Sequence, residues 1–384
     1  MAQWNRVPLI DYIELIGGGT PKTTVPEYWN GNIPWLSVKD FNNDKRYVYS
    51  TEKHISQSGF ENSPTKMLHK DDIIISARGT VGEIAMIPFD MAFNQSCYGI
   101  RASRGIDKPF LYYLLKNCIS QLKRMTHGSV FDTITRDTFA NIEVDIPDAE
   151  TQKRISSVLA DIDNKIEVND AINDNLQQQA AALFSSLYDR TNTEVRFTDL
   201  IQILGGGTPK TGENTYWNGN IAFFTPKDVG TPYTLITEKT ITEEGLSHCN
   251  SRLYPVNTVF VTARGTVGKV GMSGVPMAMN QSCYALVGKE THQLLVYFYT
   301  LKVVDRLKHK ASGAVFDAIT TKDFESEQIM KLSDDDARAF LCIAEPMFQK
   351  VLNNCIENLR LSTLRDSLLP KLMSGEIDVS AVQL

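Results

Sequence analysis

Cysteine is scarce in this chain, with six in 384 residues, none in a C-x-x-C pair and none grouped with histidine. That spacing speaks against a zinc site. In a chain this long it also speaks against a disulfide framework. Cys97, Cys118, Cys249, Cys283, Cys342 and Cys355 are expected to act as small buried hydrophobes. The six histidines (His54, His69, His127, His248, His292 and His309) are scattered. No H-E-x-x-H, G-x-S-x-G, dinucleotide fingerprint or Asn/Asp-Pro-Pro-aromatic tetrapeptide occurs. The sequence thus offers no metal set and no nucleophile–base set, and a stand-alone enzyme is the least favoured class. No apolar run reaches the length of a membrane span, and the first residues lack a basic-then-apolar leader, so the expected location is the cytoplasm. An excess of positive charge is missing too. Lys and Arg number 39 against 45 Asp and Glu, for a net charge of −6. A protein held to nucleic acid by its own phosphate attraction is usually basic. Any such binding here relies on local patches or on a partner's charge.

What the chain does have is ordinary globular composition, 42% apolar and 22% charged, and an internal duplication. Leu15–Thr23 (LIGGGTPKT) returns as Ile203–Thr211 (ILGGGTPKT). Tyr28–Ile33 (YWNGNI) returns as Tyr216–Ile221, and Lys39-Asp40 returns as Lys227-Asp228, all at an offset of 188. Ala77–Gly82 (ARGTVG) and Asn94–Tyr98 (NQSCY) return as Ala263–Gly268 and Asn280–Tyr284, at an offset of 186. Gly128–Asp132 returns as Gly313–Asp317 at 185. Six ordered matches with a slowly drifting offset mark two copies of one unit.

Within each copy, Ile73–Ala77 and Thr258–Thr262 read as buried strands, and Asn30-Gly31 and Asn218-Gly219 as turns. Phe110–Met125 and Leu294–Leu307 have helical spacing. Gly17–Thr23 has the look of a phosphate loop, but Walker A needs Gly directly before Lys. Pro21, and Pro209 in the second copy, stand there instead, so a turn beside a strand is expected. Each copy then ends in a long helix. Positions 155, 159, 162, 166, 169, 173, 176, 180, 183 and 187 alternate by four and three, the pattern of a coiled-coil seam. The seam includes Asn169 and Asn173, and buried Asn fixes register. Asp148 is a candidate N-cap. Ser333 with Asp336 makes a capping-box-like start for the second helix, which Pro346 is expected to kink or delay.

A binding vocabulary recurs in both copies. Arg78 and Arg264 lie in Arg-Gly-Thr-Val-Gly turns, where glycine lets backbone N–H groups approach a phosphate and Arg and Thr add donors. The alternative is that each Arg pairs with a nearby acid. Asn94-Gln95 and Asn280-Gln281 carry amides able to read base edges, or else to bond backbone in a buried network. Arg101, Arg104, Lys108, Lys116, Lys123, Arg124 and His127 form one basic patch, and Lys302, Arg306, Lys308, His309 and Lys310 another. Residues 161–174 are acidic (Asp161, Asp163, Glu167, Asp170 and Asp174) and better suit a protein partner.

In order and spacing, the paired Gly-Gly-Gly-Thr-Pro, Arg-Gly-Thr-Val-Gly and Asn-Gln-Ser segments, the helix after each, and the ending Leu368–Ile377 (LLPKLMSGEI) resemble the specificity subunit of type I restriction–modification systems. The resemblance implies an α+β fold. Two similar mixed α/β target recognition domains, 1–150 and 190–333, are separated by two long antiparallel coiled-coil helices, 151–189 and within 334–384, with pseudo-two-fold symmetry. It implies a non-catalytic DNA-recognition subunit reading a bipartite target in double-stranded DNA. It implies as partners two methyltransferase subunits and restriction/translocase subunits, which carry S-adenosylmethionine, ATP and Mg, with no cofactor, metal or membrane for this chain. The DNA-binding candidates are Lys22, Lys39, Arg78, Thr80, Asn94, Arg101, Arg104, Lys123, Arg124 and Ser129, then Lys210, Lys227, Arg264, Thr266, Asn280, Arg306, Lys308 and Lys310. Partner docking is expected through Ile155, Ile162, Ile166, Leu176, Leu183, Phe348, Leu352 and Leu359. Base reading is expected where the copies differ, such as Phe41–Lys53 against Val229–Lys239. A specificity subunit of a fused restriction–methylation enzyme, or a duplicated adaptor for protein or carbohydrate, would share parts of this pattern.

Overall fold

Ile73-Ile74-Ile75 has no polar face, so a strand built from it must be covered on both sides. In the computed structural model, which describes residues 4–126, 133–230, 232–310 and 318–382 (side chains of 124–126 excepted), this is what happens. Strand Ile73–Ser76 is buried throughout. Ile73 and Ile75 join one apolar cluster, and Ile74 points into another. The strand sits third in a four-stranded sheet after Ile13–Gly17 and Cys97–Ala102 and before Ile84–Met86. Val259–Thr262 repeats the arrangement, with Val259 and Val261 on one side and Phe260 on the other.

The chain divides into two units, residues 1–167 with 359–384, and residues 168–358. The first holds the sheet just described and a second four-stranded sheet in the order Lys53–Ile55, Trp29–Leu36, Met91–Phe93, Met67–Leu68. A short pair, Asn5–Pro8 with Glu143–Ile146, completes it. The second unit holds a five-stranded sheet, Ile201–Gly205, Cys283–Gly288, Val259–Thr262, Val270–Ser273 and Tyr233–Thr234. It also has a three-stranded sheet centred on Trp217–Phe224, and the pair Glu194–Arg196 with Gln328–Met330. Helices Lys108–Thr126 and Gln293–Lys310 cover the sheets.

Asn30-Gly31 is not a hairpin turn. It lies inside strand Trp29–Leu36, where the register against Lys53–Ile55 shifts between Trp29 and Ile33. Asn30 takes up the left-handed backbone (φ 59°) that a bulge requires. A Cβ on Gly31 would collide with the Ile55 carbonyl. Asn218-Gly219 repeats both features.

The long helices run from Ala149 to Tyr188 and from Asp334 to Met373. Asp148 caps the first, its carboxylate accepting from Thr151 N at 2.9 Å, and Ser333 Oγ caps the second by accepting from Asp336 N at 3.1 Å. Within each unit the two helices pack together antiparallel. In the second unit, Asn169 Nδ2 donates to Asn358 Oδ1 at 2.8 Å, while Asn354 Nδ2 donates to Asn173 Oδ1 at 2.8 Å. Asn169, Asn173 and Asn354 are buried. In the first unit, Asp163 and Arg365 form a buried ion pair at 2.9 Å, and Tyr113 Oη donates to the other Asp163 oxygen at 2.6 Å.

The delay expected at Pro346 does not occur, since the helix starts at Asp334 and runs unbroken to Met373. Pro346 and Cys342, whose carbonyl loses its partner, both face solvent, while Phe340, Ala344 and Phe348 anchor the opposite face. The proposed docking residues point inward. Ile155, Phe348 and Leu352 are buried in this chain's own cores, and Ile162, Ile166, Leu176, Leu183 and Leu359 are half-buried. Every seam position from 155 to 187 is likewise covered at least in part. Three acids of the 161–174 stretch are already engaged within the chain, Asp163 with Arg365, Glu167 with Arg46, and Asp170 with Asn358.

Aromatic packing fastens the helices to the second unit. Phe184, 1% exposed, stands 5.0 Å from Phe298 and 5.5 Å from Phe340, ring centre to ring centre. Burying such a side chain contributes about 1.5–3 kcal/mol, and each aromatic pair adds roughly 0.5–1.5 kcal/mol.

Candidate nucleic-acid interface

The motifs that recur in the sequence meet in space, in the same way in each unit. Gly18 and Gly206 follow the first sheet strand so closely against Asn94 and Asn280 that a Cβ on either glycine would strike the asparagine carbonyl. Gly19 N donates to Phe93 O at 2.9 Å, and Gly207 N to Met279 O at 3.1 Å. Thr20 and Thr208 then hydrogen-bond the amides of Gln95 and Gln281. The Asn94 and Asn280 side-chain oxygens accept from Ser96 N and Ser282 N at 3.1 and 3.0 Å, closing a tight turn. The carbonyls of Ser96 and Ser282 accept from Arg78 N and Arg264 N at 3.2 and 3.3 Å. Lys22, the Asn-Gln-Ser turn and the Arg-Gly-Thr-Val-Gly loop are thus neighbours.

That loop is built to stand clear of the sheet. Ser76 Oγ and Thr262 Oγ1 accept from Glu83 N and Lys269 N at 2.8 and 2.9 Å, across its base. Gly79, Gly82, Gly265 and Gly268 have φ of 77°, 87°, 82° and 76°, which favours glycine. Arg78 and Thr80, and Arg264 and Thr266, are exposed at the tips. Neither arginine forms an ion pair among the described residues. Helices Lys108–Thr126 and Gln293–Lys310 each lay one lysine against the loop. A Cβ on Gly82 would come 2.5 Å from Lys123 Cε, and one on Gly268 would come 2.5 Å from Lys308 Cε.

A second basic feature adjoins Lys22 and Lys210, which are exposed. The Trp29 indole N–H donates to the Lys22 carbonyl at 3.3 Å and the Trp217 indole to that of Lys210 at 3.1 Å. Lys53 Nζ and Lys239 Nζ lie 5.7 Å from the same two rings. Sequence reasoning placed Lys53 and Lys239 at the ends of the stretches expected to read bases but did not single them out as shared basic residues. The signal was present, because Thr51-Glu52-Lys53 and Thr237-Glu238-Lys239 are a further repeated triplet. Within 41–53 and 229–239, the copies therefore differ over 41–50 against 229–236.

Other candidates are placed differently. Arg101 pairs with buried Asp72 at 2.7 Å and with Glu14 at 3.6 Å. Arg306 and Lys310 both meet Glu327, which is 2% exposed. Arg104 lies 3.7 Å from Asp11. Lys39 and Lys227 are exposed beside Glu52 and Glu238, while their neighbours Asp40 and Asp228 hold local turns. Ser129 lies outside the described residues, as does the side chain of Arg124. The Cys97 and Cys283 thiols beneath the turns are pushed up to about 12 by burial, so both are inert packing groups.

Among the described residues, no group of three or more His, Cys, Asp or Glu could hold a metal ion, and no helix is long and apolar enough to cross a membrane. What the arrangement offers chemically is a pair of alike basic cradles, each made of a glycine loop, an arginine and lysines.

The profile of one protein family, described as the type I restriction modification DNA specificity domain, matches residues 1–178 and again 190–331. The chain belongs to this family. It is 24% identical to the type I restriction enzyme MjaIX specificity subunit of Methanocaldococcus jannaschii, over 98% of this chain and 94% of that one. It is also 24% identical to the type I restriction enzyme HindI specificity subunit of Haemophilus influenzae, over 70% of this chain and 77% of that one. The fold is similar to the crystal structure of a type I restriction–modification S subunit from M. genitalium. The two superpose with a TM-score of 0.58 at 15% identity, covering 97% and 96% of the chains.

Proposed function

We propose that this specificity-family chain reads a bipartite target in double-stranded DNA, one half-site per unit, and lends that choice to methyltransferase and restriction/translocase subunits bound to its helices. The chemistry then belongs to those subunits, with S-adenosylmethionine, ATP and Mg, and this chain works in the cytoplasm without a cofactor of its own. The observation that carries the reading is the duplicated cradle. Arg78 and Arg264 stand on matching glycine loops, and Lys123 and Lys308 lie against those loops from matching helices. Backbone phosphates recur along DNA, and two like cradles suit two successive contacts with it. The net charge of −6 fits a division of labour in which partners supply much of the positive surface. The inward-facing seam leaves the outer helix faces for docking, and Val168, Ile172, Ile343 and Leu364 are exposed there.

The test is to exchange residues 190–333 for the corresponding domain of a relative and to map methylated DNA in the assembled complex. One half of the methylated sequence should change and the other should persist. Change in both halves, or in neither, would overturn the reading.

A further inference from the structure

Two shared aspartates pin the divergent segment of each unit at its ends. Asp40 and Asp228 accept from Ser37 N and Thr225 N at 2.7 and 2.8 Å, and from Glu52 N and Glu238 N at 2.8 and 2.7 Å. Between these pins the copies part company, and the first is two residues longer. In the second unit the segment folds back on its own sheet. Tyr233–Thr234 runs parallel to Val270–Ser273, Thr234 Oγ1 donates to Asp228 O at 3.0 Å, and Tyr233 Oη donates to Asn257 at 3.0 Å. Among the described residues it makes no hydrogen bond or ion pair with either long helix.

The first unit's segment makes the same bridge, Tyr47 beside Met86 with Met86 N donating to Arg46 O at 2.7 Å, and it also reaches the helices by charge. Asp44, in left-handed backbone (φ 54°), meets Arg365 of the C-terminal helix at 2.9 Å and Lys116 at 2.8 Å. Arg46, its side chain 9% exposed, meets Glu167 of the central helix at 3.2 Å and hydrogen-bonds Asn164. Its guanidinium also lies 4.9 Å from the Tyr47 ring centre, and Tyr47 packs on Tyr49, which is 61% exposed. Arg365 is in turn held by buried Asp163. The contacts run unbroken from both helices to an exposed aromatic on the segment where the copies differ.

We infer that Arg365 and Glu167 are positioning residues for DNA reading by the first unit. They clamp the 42–50 segment to the helix pair by charge through Asp44 and Arg46, whereas among the described residues the second unit's segment meets its helices only by apolar packing around Tyr233. The inference rests on the function proposed above. Loss of this clamp alters one half-site alone.

Arg365→Met would leave Asp163 buried without its partner and risks unfolding, so the variant of choice is Asp44→Asn with Arg46→Met, which keeps the Asp163–Arg365 pair. Wild-type and variant chains, each complexed with methyltransferase subunits, are used to select duplexes from a randomised pool. Amide hydrogen exchange is followed across the chain in parallel. The expected result is flattened preference in one half of the selected sequence and roughly 5- to 150-fold weaker binding to the wild-type duplex, the scale of one lost base-pair contact. Protection should be lost only around 42–50. A variant that selects both halves unchanged overturns the inference, as does one that loses both halves in step with protection throughout. A wild-type complex that enriches no sequence overturns the functional reading and this inference with it.

Discussion

If the two cradles hold DNA phosphates, salt dependence counts their contacts. Lys22, Lys53, Arg78 and Lys123, with Lys210, Lys239, Arg264 and Lys308, are eight cationic groups on the matched features. Each neutralised phosphate contributes about −0.9 to the slope of log K against log salt, so eight give a slope of about −7. Raising salt from about 50 to about 200 mM should then weaken binding on the order of 10⁴-fold. Replacing Arg78 and Arg264 together by Gln should make the slope shallower by about 1.8, whatever the partner subunits add, because their contribution is common to both measurements. The control is Arg101→Gln. Arg101 is already bonded to buried Asp72, so its loss should leave the slope unchanged and cost about 1–3 kcal/mol of stability. Fluorescence anisotropy of a labelled target duplex, titrated with the assembled complex at four or more salt concentrations, measures these slopes. An unchanged slope in the Arg78/Arg264 variant, or an equal change with Arg101→Gln, would refute the assignment of these basic side chains.

Other expectations concern the chain itself. Gly206→Ala should lower the melting temperature markedly because its Cβ meets the Asn280 carbonyl, whereas Gly205→Ala, with open space around it, should behave as wild type in the same thermal scan. Asn173→Ala should cost about 1–3 kcal/mol in urea unfolding, since it strips Asn354 of its partner in a buried layer. Burial pushes the Asp44 carboxyl up, but Lys116 and Arg365 outweigh it and hold the carboxyl below its ordinary 3.8. The stability this pairing adds is therefore present above that value and lost as pH falls through the lower folded one. The melting-temperature gap between wild type and Asp44→Asn should close as pH drops through that window. Cys342 is exposed and Cys97, Cys118 and Cys283 are buried, so a thiol reagent under native conditions should label Cys342 before these three by peptide mapping.

The parts of the fold legible in the sequence were those set by local spacing. The four–three seam of 155–187 needs only neighbours on one helix, and each of its positions is covered. The caps at Asp148 and Ser333 are equally local. The sheets were not legible, because their strands are two to eight residues long and their pairing is settled by distant partners. The Asn-Gly pairs carry a turn signature and yet serve as bulges, since a left-handed Asn fits both. The basic residues show the same limit. Nothing in the sequence around Arg101 marks Asp72, 29 positions away, as its partner, and Asp44 and Arg365 are 321 positions apart. The repeat separated these cases in part. Arg78 and Lys123 have counterparts in Arg264 and Lys308, whereas Arg306 and Lys310 align with Gln121 and Met125 at the same offset.

This division bears on what sort of target the chain reads. The residues identical in the two copies mostly fix backbone, as Asp40 and Asp228, Asn94 and Asn280, and Gly18 and Gly206 do. A frame shared by both units cannot distinguish one half-site from the other. On the proposed function, discrimination comes from the segments that differ, and these present different chemistry. The first unit displays Tyr49 and ties its segment to the helices by charge. The second displays Ile236, 67% exposed, with Leu253 and Val275 around a mainly apolar hollow. An aromatic hydroxyl favours polar base edges, and an aliphatic surface favours the thymine methyl group. On the proposed function, the two halves of the target are therefore unlike in sequence although the cradles that hold them are alike. A palindromic methylated motif would contradict that argument.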